Sequence, residues 1–474
     1  MISGFAAALL IAGGLGWLTV GWRWWPAGEQ RALIAGSLAA GLGLGVSSVL
    51  FLLWSWLVGS PAFYPLAEAS LVAASAGVVL AAAMRRAAVP PAPPLTSVAP
   101  SPRHAGALRV VLAACAAAAC IAFLAEIAAQ PHGGWDAWMT WNMHARAIAR
   151  GGEAWSHVLT SLPDWSHPDY PLLVPASVAR IWTYQGEESA AGPAAVAFLF
   201  TFATAGLLYA AVATLRSPTQ GALAALLLVT TKFFVLHGAS QYADIPLGFF
   251  FLATLTLLSL AEASPTRRPR LLILAGLSAG LAAWTKNEGL LFVPVTIAVA
   301  LLMQPGRERA QAVRAMIIGL APVMAVVVVF KIWMAAPNDL LADQGMAQTA
   351  ARLLEPERYR QIFGGFVTAL LEVSTRGAVP ILLGAYALAA GPVPAGPPRR
   401  TGTMVAVVIG LMLAGYAAVL LVAPAPRLGT NIRSINRLLL QLWPSMLFAY
   451  FCLVRTVEEA CRSEPRVRPC SEPA

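Results

Sequence analysis

ALRVVLAACAAAACIAFLAEIAAQPHGGWDAWMTWNMHARAIARGG, residues 107–152, sets an apolar run directly against a dense polar segment. Residues 107–128 are long enough, as a helix, to cross about 30 Å of hydrocarbon. The sixteen residues 135–150 then gather three Trp, Asp136, Asn142, His144, Arg146 and Arg150. Working outward from this junction, similar apolar runs recur along the whole chain. Hydrophobic residues make up 58% of the 474 and charged residues only 11%, with a mean hydropathy of +0.69. A soluble chain of this length needs more polar surface, so the sequence reads as an all-α polytopic membrane protein.

The runs fall at 2–22, 32–58, 66–84, 107–128, 190–215, 219–237, 241–261, 270–285, 287–303, 312–335, 376–391, 403–423 and 435–455, about thirteen transmembrane helices. The first run lacks a basic leader and a cleavage motif and reads as a span. Residues 1–84 form an N-terminal three-span unit, and 85–106 a proline-rich cytoplasmic linker. A core follows at 107–335, with a first outer loop at 129–189. A second outer loop spans 336–375, and 376–474 holds three further spans and a tail. The five cysteines suggest no disulfide framework.

The net charge of +10 is topological and not a nucleic-acid signature. Arginines at 85, 86, 103, 267, 268, 270, 307, 309, 314, 399, 400 and beyond 454 alternate onto one side, which the positive-inside rule makes cytoplasmic. Most acids and five of the six histidines fall on the other side. An ionisable residue at membrane depth costs roughly 2.5–3.5 kcal/mol even on lenient scales, so charges at span edges are functional candidates.

Asp136 to Arg150 reads as an interfacial helix, with Asp136, Thr140 and His144 on one stripe and Trp138 and Trp141 off it, at headgroup level. Asn142, His144 and Arg146 would support the acid. In SLPDWSHPDYPLLVP, His167, Asp169 and Tyr170 lie between Pro168 and Pro171, in a rigid turn where Asp169 either caps a helix or binds substrate. Asp244, two residues before Pro246, is a helix cap or a site acid. Lys286 and Glu288 interrupt two apolar runs. The chain has only three lysines, Lys232, Lys286 and Lys331, all at outer span ends, where an ammonium suits a phosphate. Arg433 and Arg437, four apart, defy the positive-inside trend and fit a lipid headgroup or a phosphate leaving group. Asp136 or Asp169 with His144 and His167 could hold a divalent metal, although their spacing matches no recognised ligand motif and no cofactor is otherwise indicated.

WDAWMTWNMHAR, HPDYPLLVP, QYADIPLGFF, AAWTKNEGLLF and RLLLQLWP, in this order over residues 107–455, resemble the bacterial integral-membrane glycosyltransferases of the GT-C fold. The chain is most similar to the branch related to protein O-mannosyltransferases and lipid A aminoarabinose transferases. That resemblance implies a polyprenyl-phosphate sugar donor and a glycan, lipid or protein acceptor. It also implies a place in the bacterial inner membrane with the active site facing the periplasm or cell exterior. Asp136 matches the family's catalytic base, and Asp244 or Asp169 its second acid. Asp136-Ala137 replaces the paired acids of the protein mannosyltransferases, which leaves the acceptor class open. On this reading an inverting transfer uses Asp136 as base and Lys286, Arg433 or Arg437 at the departing phosphate. The alternatives are a flippase or transporter of lipid-linked sugar, and a polysaccharide polymerase or ligase. No internal repeat of the transporter kind is present.

Overall fold

Alanine and leucine lose little side-chain freedom in a helix, and a helix satisfies its own backbone polar groups in lipid. The computed structural model describes residues 2–21, 30–85, 105–303, 306–337, 345–424, 428–429, 432, 434–456 and 459–460. They form helices α1 (Ile2–Val20), α2 (Arg31–Leu57), α3 (Tyr64–Arg85), α4 (Ala105–Ala129), α5 (Asn142–Arg150), α6 (Trp155–Thr160), α7 (Leu173–Gln185) and α8 (Ala191–Leu215). There follow α9 (Pro218–Thr230), α10 (Lys232–Ala239), α11 (Asp244–Ala263), α12 (Arg268–Thr285), α13 (Asn287–Met303) and α14 (Gly306–Trp333). The last are α15 (Met346–Leu353), α16 (Pro356–Val373), α17 (Ala378–Ala390), α18 (Pro397–Val422) and α19 (Ile435–Leu453). Most of the linker at 85–106 lies outside the described residues.

Eight of these helices are long and apolar enough to cross a membrane, or up to ten if two bent pairs each count as one span. Of the thirteen expected runs, those at α12, α13 and α19 are not among these, and the count of thirteen is not confirmed among the described residues. Hydropathy along the sequence registers apolar length but not the bends that interrupt it. Helices α9 and α10 meet at 60°, where Thr231 is extended and its hydroxyl bonds the Leu227 carbonyl (2.7 Å). Helices α16 and α17 meet at 85°. Thr375, Arg376 and Gly377 all have positive φ there, which turns the chain sharply. Residues 336–375, expected as loop, thus contain α15 and α16.

Helix α11 is the core of the bundle, its span window wholly buried among α2, α8, α12 and α19. Small residues permit this packing. A Cβ on Gly41 or Gly45 of α2 would strike Phe249 of α11 or Leu281 of α12. Connectivity then places the starts of α11, α13 and α19 and the ends of α12, α14 and α18 at one end of the bundle.

The first three helices are fastened to the rest by a buried ion pair. Arg180 of α7 donates through Nε to both carboxylate oxygens of Glu68 on α3 (2.9 and 3.1 Å) and through Nη1 to the Ala8 carbonyl of α1 (3.0 Å). The Tyr184 hydroxyl donates to the same carboxylate (2.6 Å). Both side chains are buried. Removing one partner strands a charge, so Glu68→Ala should destabilise the protein by about 3–5 kcal/mol. A paired Glu68→Leu/Arg180→Met variant should recover most of that loss, read as the thermal unfolding midpoint in detergent. Equal loss in both variants would contradict the assignment.

Candidate active site

The polar segment after α4 is shaped by its glycines. Gly133 has φ +73° and Gly134 donates to the Ser240 carbonyl (3.0 Å). A Cβ on Gly133 would meet that same carbonyl oxygen, and one on Gly134 the Tyr242 hydroxyl. The bare backbone thus lies flat on the α10–α11 corner. Gln241, itself at positive φ, closes the contact by donating to the Pro131 carbonyl (3.1 Å). Asp136 follows, its backbone N–H donating to the Tyr242 hydroxyl (3.4 Å).

Ala137–Trp141 is a π-helical turn that runs into α5, where a regular helix from Asp136 was expected. The wider turn shifts the register. Thr140 and His144 are buried, whereas the Asp136 side chain keeps 29% of its surface. Trp138 is exposed as expected, but Trp141 is buried and stacks on Tyr170 (5.6 Å between centroids), so its headgroup placement is corrected. Asn142 and His144 are buried beneath the segment. Arg146 turns away to Glu188 (3.3 Å) and lies over the Trp182 ring, and is not brought to Asp136. An open cavity of about 500 Å³ flanks the turn, lined by Gln130, Pro131, His132, Gly133, Trp138 and Arg146.

The carboxylate of Asp136 meets Arg437 Nη1 on α19 at 2.5 Å. The same guanidinium donates through Nε to Asp244 (2.9 Å) and lies over the Tyr242 ring (4.9 Å). Asp244 is fully buried in the first turn of α11, and Ala243 is the N-cap, so the expected cap is not made. Its carboxylate instead faces Lys286 Nζ (3.0 Å), Gln441 Nε2 (2.7 Å) and His237 Nε2 (3.3 Å) as well as Arg437. Lys286 also meets Glu288 (2.8 Å), which accepts from Gln441 (3.1 Å), and Gln441 accepts from Tyr416 (3.0 Å). Acids at the starts of α11 and α13 and a lysine just after the end of α12 each match the local helix dipole.

A neighbouring set holds the proline-framed turn. Asn287 donates to the Asp169 carboxylate (2.7 Å), and Lys331 reaches the Asp169 carbonyl (2.5 Å) and Asn287 Oδ1 (2.6 Å). The N-cap of α7 is Leu172, so Asp169 does not cap that helix. His167 stacks on Tyr170 (4.7 Å, 9°), and Lys286 lies 5.6 Å from the Tyr170 ring. Lys232 is exposed at the α9–α10 bend. Arg433 lies outside the described residues. Among the described residues no group of three His, Cys, Asp or Glu has the arrangement of a metal site.

Asp136, Asp169, Tyr170, Asp244, Lys286, Glu288 and Arg437 thus converge at one end of the bundle. Sequence reasoning missed Gln441, Tyr242, His237 and Tyr416. Gln441 carried a signal, as a lone amide in an apolar run, four residues after Arg437.

The sequence profile of the dolichyl-phosphate-mannose-protein mannosyltransferase family matches residues 167–333, roughly a third of the chain. This match supports the resemblance to the mannosyltransferase group of GT-C proteins, and with it a glycosyltransferase of the mannosyltransferase type. No curated protein and no solved structure matches the chain.

His144 makes a pH prediction. Burial pulls its imidazole down to about 3, against a smaller opposing contact from the Ser166 backbone. The unfolded chain takes up this proton near the ordinary value of about 6.5, before the folded chain does. The contribution to stability is therefore complete above that value and is lost as pH falls toward 3. The thermal midpoint should drop more steeply between pH 6.5 and 4.5 in the wild type than in His144→Gln. Parallel curves would refute the assignment.

Proposed function

We propose that the chain transfers a sugar, with inversion, from a polyprenyl-phosphate donor to an acceptor hydroxyl on the periplasmic or exterior side. The carrying observation is the position of Asp136. Its carboxylate is partly exposed at the edge of an otherwise buried charge cluster, held by Arg437. A general base needs that access, and the contact places it beside a partly exposed cation that a phosphate can reach. The hydroxyl oxygen attacks the anomeric carbon and its proton passes to Asp136. The bond from the anomeric carbon to the phosphate oxygen breaks, and polyprenyl phosphate departs with the electron pair.

The remaining site residues divide by access. Arg437 keeps 21% of its side-chain surface and can reach a phosphate. Lys286, buried between Asp244 and Glu288, supports the cluster electrostatically from behind. Asp244, enclosed by four partners, orients Arg437 and Lys286 and does not take the proton. Asp169 and Tyr170 form the wall nearest Lys286, and the groove beside Trp138 receives the acceptor. The bilayer supplies the donor's lipid.

The test is transfer from a labelled polyprenyl-phosphate sugar by purified protein. Asp136→Asn should lower kcat by about 10²–10⁴-fold, the usual worth of a general base. The product should carry the opposite anomeric configuration to the donor. Retention of configuration, or a fully active Asp136→Asn, would exclude this mechanism. Movement of the lipid-linked sugar across liposomes without a new glycosidic bond would favour a transporter.

A further inference from the structure

Three carboxylates, Asp136, Asp244 and Glu288, share two cations, Lys286 and Arg437, among the described residues of the cluster. A lipid phosphate entering here finds no uncommitted cation in this set. It must take a donor from an existing pair, and the pairs differ in access. Asp244 and Lys286 are closed off, whereas Asp136 and Arg437 retain 29% and 21% of their side-chain surface. Arg437 is also divided between two acids through different nitrogens. Nε holds buried Asp244 and Nη1 holds partly exposed Asp136.

From this division we infer that Arg437 couples donor arrival to release of the base. The phosphate displaces Asp136 from Nη1 while Nε stays on Asp244. The guanidinium keeps its place, and the freed Asp136 carboxylate becomes available to the acceptor hydroxyl. Without donor, Asp136 is neutralised by Arg437 and is a poor base, which makes donor-first binding the productive order. The inference rests on the polyprenyl-phosphate reading above and adds a specific competition to it.

A binding cycle tests the competition without requiring turnover. The probe is undecaprenyl phosphate, titrated against the full-length protein in detergent. If Asp136 and phosphate compete for one guanidinium, Asp136→Asn should bind the probe about tenfold tighter than wild type, the worth of one charge-assisted hydrogen bond at a partly exposed site. The gain should vanish in an Arg437→Gln background. Arg437→Lys covers the case in which Arg437→Gln fails to fold. The lysine lacks the guanidinium's second, outward arm at Nη1 and should stay with buried Asp244, so Asp136→Asn should again bring no gain.

A gain that persists without the arginine would show general charge repulsion and overturn the coupling. So would equal or weaker binding by Asp136→Asn. If the wild type binds no undecaprenyl phosphate, the donor reading itself falls, and the inference with it.

Discussion

A carboxylate with no exposed surface, at the start of the most buried helix, sets the terms for the rest of this structure. Taking a charge out of water costs several kcal/mol unless it is paired and hydrogen-bonded. Asp244 meets that demand with four side chains from three places: His237 on α10, Lys286 between α12 and α13, and Arg437 and Gln441 on α19. Segments separated by 197 positions in sequence are thereby held at one point. The active groups proposed here are held in place by that requirement. Arg437 can present a nitrogen outward because another is fixed inward.

The site's place at one end of the bundle has a related cause. Unpaired N–H groups at the starts of α11 and α13 favour anions, and unpaired carbonyls at the ends of α12 and α14 favour cations. Asp244 and Glu288 occupy the first kind of position, and Lys286 and Lys331 the second. Opposite charges are brought together by helix connectivity alone. The opposite end is organised differently, with Arg268 pairing with Glu262 (3.4 Å) and Glu308 (2.5 Å) close to solvent.

Much of this was legible in the sequence because charge is costly in lipid, and each ionisable residue at a span edge therefore stood out. Asp136, Asp244, Lys286, Glu288 and Arg437 were found that way. Direction was harder to read than position. Arg146 lies in the same polar segment as Asp136, yet the π-helical turn and the Glu188 partner send it elsewhere. Tyr242 and Tyr416 were invisible because an aromatic ring near a span is unremarkable until its hydroxyl finds a partner. The bent pairs escaped for a similar reason, since a break at Thr231 leaves the hydropathy almost unchanged. The family match, at 167–333, takes in Asp169, Asp244, Lys286, Glu288 and Lys331 but leaves out Asp136, Arg437 and Gln441. The matched region holds the buried Asp244 and Lys286, and the partly exposed Asp136 and Arg437 come from flanking segments.

The Glu68–Arg180 pair bears on the order in which the chain assembles. Its two members are 112 residues apart, so Glu68 is synthesised and its helix inserted well before its partner exists. Glu68 sits just past the first turn of α3, near one end of that span, where it can remain hydrated while it waits. Dehydration comes only when α7 docks. By then α4 and the whole polar segment containing Asp136 have been synthesised, because they precede α7 in the chain. The Glu68–Arg180 pair cannot form until the segment carrying Asp136 has been synthesised.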